Sequence, residues 1–204
     1  MSFDRAIVGE NFKKRGFRFS YFDTAKDAVD YICDLIPEKR SIGFGGSVTV
    51  KETGLLDALQ KDGSYTLYHR ELVTDISAEE LYGKMHTADW YVCSANALTE
   101  QGEIVNIDGR GNRVAALLNG PKNVVIVCGK NKLVSSVEEG ISRTRNIASP
   151  LNARRLHRNT PCAVLNRCVD CNSPERMCNA TVILHHPTSG TTVHVVVIDQ
   201  DFGY

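Results

Sequence analysis

Four of the seven cysteines fall between Cys162 and Cys178, with spacing C-x5-C-x2-C-x6-C. Thiolates bind soft and borderline metals. The short Cys168–Cys171 pair can grip one centre, and Cys162 and Cys178 would complete a four-sulfur shell. That shell fits an iron–sulfur cluster or zinc. The usual structural-zinc pattern has two short ligand pairs some distance apart; here there is one, so the run leans toward a cluster, with zinc as the alternative. Ser173 and Pro174 predict a helix start between the last two cysteines. Its positive end and Arg176 would stabilise an anionic thiolate centre. A disulfide pair with spare thiols, or four unligated thiols, are the competing readings. Cys33, Cys93 and Cys128 are scattered through apolar runs.

A second candidate chemistry is anion binding. Ser41 to Ser47 reads as a strand running into a glycine turn. The helix that follows carries Val48, Val50, Leu55, Leu56 and Leu59, capped by Ser47 or Thr49. Gly45, Gly46 and Ser47 would present backbone N–H groups to a phosphate, carboxylate or cofactor tail. A plain strand–helix turn competes, because neither a Walker A pattern nor a full dinucleotide fingerprint is present. Asp108, Gly109 and Arg110 open a second glycine-bearing charged turn that binds an anion or simply connects two elements. Trp90 to Ala95 predicts a buried strand. Its carboxyl end delivers Asn96 and Glu100 to the place where open α/β sheets gather ligand groups. The basic run from Arg143 to Arg158 would neutralise an anionic cluster or substrate, or is solvated surface. His185, His186 and His194 are extra ligands, switches or strand-face residues.

These groups need a scaffold, and the apolar periodicity supplies one. Helices are predicted near 4–18, over the stripe Ala28–Ile36, from the capping box at Ser77 to about Thr87, and from Val134 through Ala148 with Val137, Ile141 and Ile147 inside. Strands are predicted at 17–22, 41–44, 65–69, 90–95, 103–108 and 123–128. Two more, at 181–185 and 191–199, read as a terminal hairpin around Pro187–Gly190. The chain has 204 residues, 42% hydrophobic, with zero formal net charge. It can bury a substantial core, and its charge gives no reason to expect nucleic acid or an anionic membrane as partner. No apolar run reaches membrane-spanning length. The odd cysteine count and the absence of a signal pattern at the start point to the cytoplasm.

Gly43-Phe44-Gly45-Gly46-Ser47 with Glu52-Thr53-Gly54-Leu55-Leu56 resembles the glycine motif of the LUD-domain proteins, the lactate-utilisation family that includes the LutC type. Asn96-Ala97-Leu98-Thr99-Glu100, Asn106, and Asp108 through Arg113 resemble its central stretch. Cys168 through Cys178 is similar to the cysteine tail of a subgroup, and differs from the ferredoxin-like regions appended in the LutB type. The resemblance spans nearly the whole chain. It implies one LUD-type α/β domain over 1–204, including a metal-binding segment at 160–180. The implied fold is a Rossmann-like parallel sheet with helices on both faces, like the NagB/RpiA/CoA-transferase group. It implies a role in oxidising lactate or a similar organic acid, with redox partner proteins, and allows a homo-oligomer. The alternative is an isomerase/CoA-transferase-like enzyme or an anion-binding protein with a structural zinc site. In that case Glu100 would be the catalytic carboxylate, by analogy of fold.

Overall fold

The structure, a computed structural model, describes residues 3–204. In chain order the elements are α1 (Arg5–Lys14), β1 (Arg18–Phe22), α2 (Ala25–Leu35), β2 (Ser41–Phe44), α3 (Val48–Glu52), α4 (Leu55–Asp62), β3 (Thr66–Tyr68), α5 (Ala78–Thr87), β4 (Trp90–Cys93), β5 (Ala97–Thr99), β6 (Ile104–Asp108), α6 (Asn112–Asn119), β7 (Asn123–Gly129), β8 (Leu133–Val134), α7 (Val137–Arg143), α8 (Ser149–Arg155), α9 (Pro161–Leu165), β9 (Ala180–Leu184) and β10 (Thr192–Ile198). Side-chain caps fix five helix starts: Asp4 accepts from Ala6 and Ile7, Thr24 from Asp27, Ser47 from Val50, Ser77 from Glu80 and Ser136 from Glu139. Each satisfies amide donors that the first turn leaves without a partner.

Six strands form a parallel sheet in the order β1-β10-β7-β4-β2-β3. Its central strands are apolar on both faces, as burial on both sides requires. Alternate residues serve opposite cores. Tyr91, Cys93, Val124, Ile126, Val193 and Val195 pack on one side with α1, α5 and α6. Trp90, Val92, Val125, Val127, Val196 and Ile198 pack on the other with α2, α3 and α4. The expected parallel sheet with helices on both faces is therefore present. From β2 the chain winds outward to β3. It then returns to β4 and winds the other way through β7 to β10. The direction of winding thus reverses between β2 and β4, and a ligand crevice opens at the strand carboxyl ends beside such a reversal.

A second sheet, β8-β5-β6-β9, shares no strand with the first and mixes parallel and antiparallel pairs; its Leu98, Ile104, Leu133 and Leu184 pack into the same core as Tyr91 and Ile126. It corrects the expected terminal hairpin. β9 pairs with β6, whereas β10 enters the large sheet between β1 and β7. The continuous apolar run of β10 can bury both faces only in a sheet interior, while β9 is half-exposed at an edge.

Three helix expectations also change. The stretch after Ser47 is two helices, because Gly54 adopts a left-handed φ of 75° between α3 and α4. The helix expected through Ala148 passes into a π-turn at Thr144–Ala148 and continues as α8. Pro150 has no N–H to continue the ladder, and the Ser149 amide donates to the Thr144 carbonyl instead. Ile147 is consequently 49% exposed rather than inside. Ser173 and Pro174 start no helix. The Ser173 hydroxyl accepts from the Glu175 amide and donates to the Asn159 carbonyl, closing a local turn. Among the described residues no helix is long and apolar enough to cross a membrane.

Candidate functional site: a cationic cavity at the strand carboxyl ends

A cavity of about 690 Å³ opens beside the β2/β4 reversal. Gly46 and Ser47 follow β2 into its wall, and Ser94 and Asn96 follow β4. Asp108, Gly109 and Arg110 enter from the end of β6, and Lys132 from the short 3-10 turn after β7. The far wall is Ser149, Asn152 and Arg155 of α8, with Pro174 to Met177 of the cysteine segment. Seven lining residues are Arg or Lys and two are Asp or Glu, so the cavity favours an anion.

The cations do different work. Arg113 is a strut. Its guanidinium donates to Asp108 at 2.5 and 3.0 Å, to the Asn96 side chain at 2.7 Å and to the Ser94 carbonyl at 3.0 Å. Asp108 also accepts from the Val114 amide at 3.0 Å, so its carboxylate is committed to holding α6 against the sheet. Arg70 lies directly over Gly46: a Cβ there would stand 1.8 Å from its Nη2. Arg155 donates to the Tyr204 hydroxyl at 2.6 Å, and Arg110 pairs with Glu79 and sits over the Tyr82 ring.

Lys132 is the unusual member. Only 3% of it is exposed, and its Nζ donates to Thr49 Oγ1 and Ser94 Oγ, each at 2.8 Å. Among the described residues no carboxylate makes an ion pair with it; Glu52 acts only from a distance. Burial, the largest effect, pushes its pKa down to about 8; Cys128 opposes this, Arg143 and Arg113 add to it, and Glu52 opposes it most weakly. His69, at the cavity edge, is also lowered by burial.

Of the residues expected from sequence, Gly46, Ser47, Asn96, Asp108, Gly109 and Arg110 come together in this cavity. Gly45 faces away, where a Cβ would approach the Cys93 side chain at 3.0 Å and the Tyr91 hydroxyl at 3.1 Å. Glu100 lies outside the lining. β5 carries it into the small sheet, where its amide donates to the Val134 carbonyl and its carbonyl accepts from Asn11. His185 and His186 are exposed, and His194 is buried against Trp90 with its pKa pushed down to about 4 by burial. None of the three lines the cavity. Arg155 and Arg158 come from the basic run expected from sequence. Lys132 and Arg70 have no sequence motif around them; only the folded chain separates buried Lys132 from exposed Lys130.

The cysteine segment forms a second, smaller feature. Cys162, Cys171 and Cys178 line a cavity of about 20 Å³ with Met177 and Arg176. All four tail cysteines are free thiols. Burial raises the Cys178 pKa; Arg176 opposes that, and Cys168, Cys171 and Cys162 add to it. Arg176 braces the segment by donating to the carbonyls of Cys171 at 2.6 Å and Cys178 at 3.2 Å. The donor set suits a thiophilic metal or cluster in chemical type. Among the described residues, however, no three Cys, His, Asp or Glu side chains stand ready to hold an ion. The segment meets the large cavity, since Ser149, Arg176 and Met177 line both.

The fold and site define a doubly wound α/β protein with a cationic cavity at its topological switch point. The LUD-domain family model matches residues 6–198, and the chain belongs to that family. A crystal structure of a DUF162-family protein from Deinococcus radiodurans is similar at TM-score 0.52 and 16% identity, covering 97% of this chain and 99% of the other. Ribose 5-phosphate isomerase A from Neisseria gonorrhoeae aligns at TM-score 0.38 and 17% identity over 55% of this chain and 54% of its own. No curated protein matches the chain.

Proposed function

We propose that this LUD-domain protein takes part in the oxidation or utilisation of lactate or a similar organic acid, holding the acid in the cationic cavity. Family membership supports the pathway class. The observation that carries the binding role is the excess of seven cationic over two acidic residues around one cavity at the strand carboxyl ends. An iron–sulfur cluster, or zinc as the alternative, belongs to Cys162, Cys168, Cys171 and Cys178. The placing of Cys162, Cys171 and Cys178 around one small cavity, which shares Ser149, Arg176 and Met177 with the large one, supports that assignment. A cluster there would pass electrons to a redox partner protein. Glu100, outside the cavity, gives little support to acid–base chemistry of the isomerase type.

The binding role is tested by calorimetric titration with L-lactate, D-lactate, glycolate, pyruvate and inorganic phosphate. Saturable binding of a carboxylate is expected, and its loss across the whole set would overturn the reading. Iron, zinc and acid-labile sulfide on anaerobically purified protein test the tail. Iron with matching sulfide is expected, zinc without sulfide would make the tail a structural site, and absence of both would remove the metal from the proposal.

A further inference from the structure

A buried ammonium without a countercharge is costly unless something compensates it. Lys132 is in that position, at the floor of the cavity. Two of its three N–H groups go to the Thr49 and Ser94 hydroxyls. Because those oxygens accept from the ammonium, their own protons point elsewhere. Ser94 has only long contacts for its proton, at 3.4 Å to Thr49 Oγ1 and at 3.5 Å to the Ala95 carbonyl and the Cys128 sulfur. Thr49 Oγ1 donates to the Phe202 carbonyl at 3.3 Å. The floor therefore offers one ammonium N–H and one serine O–H without short partners, from two residues that both line the cavity.

We propose that Lys132 and Ser94, with Thr49 steering the lysine, form the subsite that receives the carboxylate of the bound acid. This rests on the reading that the cavity holds a small organic acid. One carboxylate oxygen would accept from Lys132 Nζ and from Ser94 Oγ, and the rest of the ligand would face Arg70 and Arg155, which line the same cavity. The charged and titratable groups around the ammonium are Cys128 on β7, Arg143 on α7, Arg113 on α6 and Glu52 on α3. Among these Glu52 is already occupied, accepting from the Gly203 amide. An incoming carboxylate supplies the missing negative charge, so binding holds the proton on Lys132 and draws one in where the free protein has lost it.

The test is calorimetric titration of wild type, Lys132→Met and Ser94→Ala with the four carboxylates and phosphate. Wild-type titrations are repeated at pH 8 in two buffers of different ionisation enthalpy. The expected result is carboxylate binding by wild type, at least about 30-fold weaker binding by Lys132→Met, and about 3- to 10-fold weaker binding by Ser94→Ala. Wild type should take up a fraction of a proton per carboxylate bound at pH 8. Binding by Lys132→Met within twofold of wild type would overturn the subsite while leaving the cavity reading intact. So would the absence of proton uptake, even if Lys132→Met failed to fold. Binding of phosphate alone would also overturn it, and no binding by wild type would overturn both readings.

Discussion

The floor and the outer wall of the cavity are built differently. The floor hangs on the carboxyl ends of β2, β4 and β7, in the middle of a parallel sheet whose strands are buried on both faces. The outer wall includes irregular chain from Pro174 to Met177. It is tied down by the Asn179 amide on the Asp108 carbonyl, the Asn179 side chain on the Gly109 carbonyl, and close packing of Gly109 on the Met177 backbone. Among the described residues, His157, Asn166 and Asp170 are three of four non-glycine residues with positive φ, and all lie in or next to the cysteine segment. Such backbone persists only where surrounding contacts insist on it. The floor is held by the core and needs no ligand to form. The wall is held instead by local turns and side-chain hydrogen bonds of Ser173, Glu175 and Arg176, and its cysteines are where further contacts would come from.

That contrast can be broken from either side. The largest effect is expected for Arg113→Met, which leaves Asp108 buried and unpaired; a loss of about 4 kcal/mol in denaturant unfolding is expected. Lys132→Met should act in the opposite direction, stabilising the ligand-free protein at pH 7 by up to about 3 kcal/mol, because the buried charge is removed. The sign follows from proton binding. Between pH 8 and about 10.4 the unfolded chain holds the lysine proton and the folded chain has lost it, so wild-type stability rises with pH in that window. Lys132→Met lacks this rise, and its advantage should fade there. Burial raises Cys93 to about 12 and works the other way above about pH 9. That effect is common to both proteins and cancels in their difference, which unfolding curves at several pH values would measure.

Smaller changes should stay on the wall. Gly109→Ala forces the Met177 backbone outward, at a cost of about 1 kcal/mol, and should speed tryptic cleavage at Arg167 several-fold while leaving the sheet intact. The double change Cys168→Ser and Cys171→Ser should alter metal-free stability by less than about 0.5 kcal/mol while abolishing retained iron or zinc. Glu100→Gln should change carboxylate affinity by less than twofold. A larger loss would mean that the small sheet reaches the ligand.

Much of this molecule is legible in its sequence where period and caps coincide. Ser77 with Glu80 marks the start of α5, and the apolar runs at Trp90 and Asn123 mark β4 and β7. The glycine turn after β2 leads to Gly46 and Ser47 in the cavity wall. What the sequence hides is partnership. Two neighbouring apolar segments, β9 and β10, look like a hairpin because local spacing carries no information about which sheet each joins. Glu100 follows a strand, but that strand belongs to the second sheet and turns its end away from the cavity. Lys132 differs from Lys130 only through burial, and burial depends on chain that arrives from Thr49, Ser94 and Gly203.

The position of β10 also governs how the protein can come into being. β1, at residues 18–22, has one strand neighbour, and that neighbour is β10, at residues 192–198. During synthesis β1 must wait for a strand about 170 residues further on (Phe22 to Thr192), with its backbone donors unpaired, although Phe19 and Phe22 find Phe12 and Tyr31 nearby. β7 likewise keeps an open edge until β10 arrives. Contacts this distant in sequence slow folding and lengthen the interval in which apolar edges are exposed to other chains. β10 therefore acts as a key inserted late. A nascent chain halted before β10 would carry two unprotected edges, and it is at this stage that the protein would depend most on chaperones.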